Sequence, residues 1–301
     1  MDRLAAIEIF VRVIDTGSFS AAARYQGVGQ PAVSKAVAQL EDWLGVRLLL
    51  RSTRSLTPTE AGRNFYNHAK RTVEEADEAV RAARGVGAAL CGRIRVAAPV
   101  CFARLQLVPQ LPHFLTRHPD LDLELLLDER SIDLVDEGID VALRMGSMPD
   151  SSLVMRRIGQ ARRLVIATPA YLAWHGTPIA PSDLQAHQMV LYTRDGVGEA
   201  CTFRQGSVEE TIVPSGRISI SASEGVRAAV LADMGLTITS EWSFTPELDS
   251  GAVVSVMEDW VLDPIALSAV FPTGRLVSTK VREFISFVEQ CLEPRVVGLA
   301  A

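Results

Sequence analysis

Cysteine is scarce in this chain of 301 residues, and the four present, Cys91, Cys101, Cys201 and Cys291, show no C-x-x-C spacing. That excludes a disulfide framework and a cysteine-based zinc site, and it suits a reducing compartment. No apolar run is long enough to span a bilayer, and Glu8, Arg12 and Asp15 interrupt the apolar segment a signal peptide would need. The expected location is therefore the cytoplasm, with no membrane partner. Catalytic motifs are missing too: there is no H-E-x-x-H, no Walker loop and no nucleophile elbow. Gly196-Val197-Gly198 is followed by Ala200 and Cys201, where a dinucleotide fingerprint needs a further glycine. His113 and His118 are spaced five apart, so a helix does not place them on one face for a metal. No catalytic residue, cofactor or metal site is expected. Nor is there a basic surplus, since 36 acids against 30 lysines and arginines give a formal net charge of -6. A protein that coats nucleic acid along its whole length is excluded, although sign differs between segments.

What is present concentrates between Phe19 and Arg54. An alanine-rich helical stretch reaches Tyr25, breaks at Gly27-Val28-Gly29, and a second helix opens at Gln30-Pro31, where proline is tolerated in the first turn. Val33, Val37, Leu40 and Leu44 repeat at helical spacing, while Gln30, Pro31, Ser34, Lys35 and Ala38 lie off that stripe. This is the pattern of a helix-turn-helix whose second helix packs by one face and offers polar side chains on the other. Ala23 suits close helix approach, Gly27 a tight turn, and Val28 and Val33 are expected to fill the wedge between the helices. Upstream, Leu4, Ile7, Val11 and Ile14 predict a first helix over 2–16, ended by Gly17, with Ser18 or Ser20 capping the next and facing a DNA phosphate. Gly45 ends the second helix of the pair. Val46–Leu50 and Ser55–Thr57 then predict a two-stranded wing whose Arg51 and Arg54 reach phosphates or the minor groove. From Pro58 a long helix carries the stripe Phe65, Ala69, Val73, Ala76, Val80 and Ala83. With no domain of its own to cover it, such a helix packs against a partner. It ends at a hinge-like Gly85-Val86-Gly87.

The whole stretch resembles the LysR-type transcriptional regulators. Ser20-Ala21-Ala22, Gln30-Pro31-Ala32-Val33-Ser34, Leu40-Glu41, Leu44-Gly45, Leu48, Arg51, Arg54, Leu56-Thr57, Thr59 and Gly62 carry the resemblance. Tyr25 departs from the family's leucine, Leu49 from its phenylalanine, and Gly29 from the serine that leads into the recognition helix. The resemblance implies that the Pro58 helix is a linker that pairs two subunits as a homodimer, and that dimers assemble further into a homotetramer.

From Arg93 the grammar changes to alternating strand and helix. Strands are predicted at 94–98, 121–127 and 140–143, with helices at about 105–117 and 132–137. From Arg163 the chain continues with LVIA, MVLY, ISIS, a helix over 224–232, LTIT, VVSV and ALSAVF, and closes on a helix over about 279–292. Near-continuous apolar strands indicate an α/β fold with a largely parallel sheet. Two lobes crossed near Ala161 and Leu267 would be similar to a periplasmic solute-binding protein, which the resemblance implies as an effector domain. The expected architecture is an all-α winged helix-turn-helix (1–58), a linker helix (59–88) and a two-lobed α/β effector domain (91–301). Its first lobe takes about 91–161 and 268–301, its second about 162–267.

Ligands of open α/β sheets sit at strand carboxyl ends and helix N-termini. Val100, Cys101 and Phe102 end the first strand, in a loop where the family often places a serine or threonine against an effector carboxylate. Arg144 and Met145 end the third strand. Thr168, Phe203, Ser223 and Glu224 belong to the second lobe's edge of the cleft. The partners expected are thus double-stranded DNA and a small-molecule effector, a carboxylate or an aromatic. The competing expectation is a small-molecule sensor whose N-terminal helices only dock a protein partner.

Overall fold

Apolar residues recurring at three- and four-residue intervals build α1 (Arg3–Thr16), which buries Ala6, Phe10 and Val13 and starts where the Asp2 carboxylate accepts the Ala5 N–H at 3.2 Å. Ser18 caps α2 (Phe19–Gln26) by accepting the Ala21 N–H at 3.3 Å. Gly27 ends it at φ 65°, a left-handed backbone that suits glycine. α3 (Gln30–Leu44) follows from Gly29, with Pro31 in its first turn. The wing is β1 (Leu49–Arg51) and β2 (Leu56–Pro58), antiparallel with Leu49 opposite Pro58. Thr59 then leads into α4 (Glu60–Ala83), 24 residues or about 36 Å of helix. The computed structural model describes residues 2–51, 56–83, 90–130, 132–146, 154–193, 200–272 and 277–292, and Gly85-Val86-Gly87 lies outside them.

The chain divides into two compact units, residues 1–92 with 135–138 and residues 93–134 with 139–301. In the first, Phe10, Val33, Val37, Leu40 and Leu48 form the core, and Phe10 packs on Phe65 of α4 with ring centroids 5.4 Å apart. Val33 fills the helix wedge as expected, but Val28 does not and is 45% exposed. The left-handed turn at Gly27 lets the Val28 N–H bond back to the Ala23 carbonyl at 3.1 Å, which closes the helix end and leaves the valine outside the core. Gly62 sits against the wing: a Cβ there would lie 2.0 Å from the Leu48 carbonyl oxygen.

In the second unit, β3 (Cys91–Ala98) leads into a continuous run of helical turns. A single α turn (α5, Val100–Phe102) is followed by a π segment (Ala103–Leu107), a 3-10 turn (Val108–Gln110) and α6 (Leu111–Arg117). β4 (Asp120–Leu127) and β5 (Val141–Met145) follow, and the helix expected over 132–137 is absent, with turns from Leu134 to Gly138 in its place. The Ile139 N–H closes that turn onto the Leu134 carbonyl at 2.8 Å, and Gly138 takes φ 64°, which a helix does not accommodate. β6 (Val154–Ala161), unforeseen, carries the chain to β7 (Arg163–Ala167) in the second lobe.

The second lobe holds α7 (Pro169–His175), β8 (Val190–Tyr192), the hairpin β9 (Cys201–Gln205) and β10 (Val208–Ile212), β11 (Ile218–Ile220) and α8 (Ser223–Leu231). β12 (Thr237–Ser240), the 3-10 turn Glu241–Ser243, α9 (Thr245–Ser250), β13 (Val254–Val256) and β14 (Val261–Leu262) complete it. β15 (Ile265–Phe271) then re-enters the first lobe and α10 (Thr279–Leu292) ends the described chain. β15 starts at Ile265, after Asp263-Pro264, close to the expected crossing near Leu267. The first lobe's sheet has the order β4-β3-β5-β15-β6, with β15 antiparallel to both neighbours. In the second lobe β12 and β13 run antiparallel to β7, while β11 and β8 are parallel. The first lobe's sheet is mixed rather than largely parallel, because the strand that returns between the lobes runs against those it joins, and most pairings in the second lobe are antiparallel.

Candidate functional site

α3 separates its faces sharply. Val33, Val37 and Leu40 are fully buried, whereas Gln30, Pro31 and Lys35 are exposed and Ser34 and Ala38 half-buried. The exposed residues cluster in the first two turns, where the N-cap Gly29 makes no side-chain hydrogen bond. Ser18 and Ser20 are half-buried near the start of α2, and Ser20 Oγ–H donates to Gln30 Oε1 at 3.1 Å, tying the two helices together. Arg12 lies over the Tyr25 ring with 3.6 Å to the centroid, so the residue that departs from leucine is held by a cation rather than by the core.

Glu41 links α3 to the wing and was not singled out in the sequence, although it sits within the quoted motif. Its side chain is 2% exposed, and Oε1 accepts the Leu48 N–H at 2.8 Å and the Leu49 N–H at 3.1 Å. Oε2 pairs with Arg47 at 2.9 Å. Burial opposes its ionisation, but the Leu49 N–H, the Arg47 guanidinium and the Leu48 N–H together hold its carboxyl below the ordinary value. These bonds take up the N–H groups of Leu48 and of Leu49, the first residue of β1, and the wing begins at Leu49 rather than Val46. Arg51 lies on β1, while its side chain and all of Arg54 fall outside the described residues.

In the second unit the two lobes meet along α5 and the π segment that follows it. Arg104 makes a two-pronged bond to Glu224, Nε and Nη2 to the two carboxylate oxygens at 2.9 and 3.0 Å. Burial disfavours the Glu224 charge, but Arg104 outweighs it and keeps its pKa below the ordinary value. Gln106 Nε2 donates to the Trp242 carbonyl at 3.0 Å and to Thr245 Oγ1 at 2.9 Å. Ser223 Oγ–H donates to Glu129 at 2.5 Å, and Tyr192 OH reaches the same carboxylate at 3.4 Å. Cys101 is buried, its thiol directed at the Ser243 carbonyl at 3.7 Å, and burial together with the neighbouring Glu224 charge pushes its pKa up to about 12.

Cys101 is thus brought beside Glu224, with Val100 next to it in α5 and Ser223 next to Glu224 in α8. Phe102 is buried beside them against Trp242, with ring centroids 5.6 Å apart. Arg144 and Met145 are half-buried at the end of β5, where Arg144 Nη1 donates to the Arg130 carbonyl at 2.8 Å. Two expected residues do not belong to this cleft. Phe203 is 0% exposed in the second lobe's core, because alternation along β9 turns Cys201 and Phe203 inward. Thr168 is buried and caps α7, accepting the Tyr171 N–H at 3.2 Å while donating to Asp233. Glu129, Arg104, Gln106 and Tyr192 went unnoticed in the sequence, and the strand-end rule would have reached Glu129, which follows β4 closely. Among the described residues no group of three or more metal-binding side chains converges, and no helix is long and apolar enough to cross a membrane.

Comparison with known proteins gives matches along nearly the whole chain. The family described as bacterial regulatory helix-turn-helix protein, lysR family, matches residues 4–63, and the LysR substrate binding domain matches residues 87–292. An HTH-type transcriptional regulator of Xanthomonas campestris is 33% identical over 290 residues, 93% of this chain and 83% of its own length. The regulator CrgA of Neisseria meningitidis is 31% identical over 295 residues, covering 97% of this chain and 98% of its own. The solved CrgA structure aligns with a TM-score of 0.61 at 29% identity, over 96% of this chain and 98% of that one. The full-length Vibrio cholerae virulence activator AphB aligns with a TM-score of 0.58 at 28% identity, over 96% and 99%.

Proposed function

The chain belongs to the LysR family of transcriptional regulators, with a helix-turn-helix DNA-binding domain and an effector-binding domain, and on that premise we propose how its residues divide the work. α3 enters the major groove, where Gln30, Ser34 and Lys35 contact bases or adjacent phosphates and Pro31 packs nearby. Ser18 and Ser20 face a phosphate through the exposed N–H groups at the start of α2, and Arg51 and Arg54 of the wing reach phosphates or the minor groove. Two copies pair through α4 and pairs assemble into tetramers, acting on DNA in the cytoplasm. The working domains are 1–58, 59–88 and 91–301, the last split into lobes of about 91–161 with 268–301 and 162–267. The partner-docking alternative finds no support in the relatives, which are DNA-binding regulators.

A small effector, a carboxylate or an aromatic, binds between the lobes beside Val100–Phe102, Arg144–Met145 and Ser223–Glu224. A carboxylate would take the place of Glu129 on the Ser223 hydroxyl, changing the lobe contact and hence the placement of the paired DNA-binding domains. The observation that carries the DNA role is the two-faced α3, with its valines and leucine fully buried and Gln30, Pro31 and Lys35 in solvent. Replacing Ser34 and Lys35 with alanine is expected to weaken binding to a fragment of the protein's own upstream promoter at least tenfold in mobility-shift assays at moderate salt, with the oligomeric state unchanged. Undiminished binding would remove α3 from the interface. For the effector, a thermal-shift screen of small carboxylates and aromatics on the full chain is expected to give hits that Ser223→Ala abolishes.

A further inference from the structure

Gln30 occupies the first position of α3, exposed, behind a glycine that has no side chain with which to cap the helix. Ser18 already caps α2 by accepting the Ala21 N–H. The Ser20 hydroxyl is therefore not needed by its own helix start, and it donates across the turn to Gln30 Oε1 at 3.1 Å. A carboxamide has one accepting end and one donating end. To read adenine with both, it accepts from N6–H at its oxygen and donates to N7 from its nitrogen. Ser20 takes one of the oxygen's two lone pairs and turns that end toward α2, so the nitrogen is the end more readily offered to the groove.

We propose that Ser20 is a positioning residue that sets the hydrogen-bond polarity with which Gln30 reads DNA. Gln30 is biased toward acceptor edges, namely guanine O6 and N7, adenine N7 and thymine O4, and away from two-point selection of adenine. This rests on the reading above that Gln30 faces a base. The size of the bias follows from the bond: one neutral hydrogen bond in water shifts an equilibrium by about three- to tenfold, against about five- to hundredfold for a full two-point base contact. Ser20 thus softens adenine selection without abolishing it.

The test is selection from a randomised duplex library by the full-length protein and by Ser20→Ala, Ser20→Thr and Gln30→Ala. Gln30→Ala is expected to flatten the base preference at one position of each half-site. Ser20→Ala is expected to raise the adenine-to-guanine ratio at that same position about three- to tenfold and to leave other positions unchanged. Ser20→Thr, which keeps the hydroxyl, is expected to return the ratio to that of the unaltered protein. An unchanged ratio in Ser20→Ala, or an equal loss of selectivity at every position, overturns the proposal. Should Gln30→Ala alter no position, the underlying placement of Gln30 against a base fails instead, which separates the two ideas.

Discussion

Cys101 shows how a single residue's surroundings decide its chemistry. A thiol whose pKa stands near 12 is protonated at neutral pH, and thiolate is the reactive form. Cys101 is therefore a packed donor to the Ser243 carbonyl whose reactive form is disfavoured. Native protein treated with iodoacetamide at pH 8 is expected to label Cys101 at least a hundredfold more slowly than a free thiol, on the order set by its thiolate fraction, and peptide mass spectrometry reads this directly. Labelling at the free-thiol rate would contradict the buried geometry. Gly29 gives a second residue-scale expectation. Its φ of -74° and ψ of 146° suit any residue, and a Cβ would meet only the Pro31 ring, at 3.6 Å. Gly29→Ser supplies the missing cap and is expected to stabilise the domain by about 0.3–0.5 kcal/mol, seen as a rise of a few degrees at most in thermal unfolding. Phe203 marks where a residue could not be placed from sequence alone. An aromatic in a loop-rich stretch fits a cleft or a core equally well, and only the register of β9 against β10 turns it inward.

At the scale of elements, α1 to α4 were legible because their determinants are local: apolar periodicity, Ser18, Gly27 and Gly45 all act within a few residues. The hairpin of β9 and β10 was not, since Thr202, Arg204, Glu209 and Glu210 give it the look of a polar loop, and its pairing is what makes it strand. Strand direction is a property of connections across the lobes, so the mixed sheets left no mark on the local pattern. The wing depends on a contact between elements. Glu41→Ala leaves the Leu48 and Leu49 N–H groups without their carboxylate and is expected to cost about 2–4 kcal/mol, whereas Glu41→Gln keeps an acceptor and loses about 1 kcal/mol or less with the exposed Arg47 pair. Chemical denaturation of the two variants tests the order. Because folding lowers the Glu41 pKa, its contribution is present above the ordinary carboxyl pKa and is lost as pH falls through the lowered value. Acid is thus expected to weaken the wing in the unaltered protein and to have less effect in Glu41→Gln. Gly62→Ala would drive a methyl into the Leu48 carbonyl and is expected to cost about 1–3 kcal/mol, with a matching fall in unfolding temperature.

For the whole molecule, the proposed pairing of two copies rests on α4. Ala69 is buried in the first unit's core, but further along the same stripe Val73 and Ala76 are half-buried and Val80 is 47% exposed, as befits a face that a second copy covers. Val73→Glu with Val80→Glu is expected to yield monomers in light scattering and to reduce DNA affinity at least tenfold, since each half-site is then bound alone. Dimers that persist with both charges present would place the pairing surface elsewhere. Binding by the assembled protein is expected to weaken linearly on logarithmic axes as salt rises, and Lys35→Ala to lower that slope by about one if Lys35 holds a phosphate.

The place of β15 has a consequence for how the protein is born. It lies between β5 and β6, with Ile265 opposite Ala161, yet the ribosome makes it only after every strand of the second lobe. Until Phe271 has emerged, the first lobe has a gap between β5 and the edge strand β6. The second lobe is contiguous in the chain and its two ends are neighbours in the finished sheet. A nascent chain can therefore complete the inserted lobe first and close the host lobe around it last, and a message cut short before β15 would release a polypeptide with two unpaired strand edges, open to aggregation.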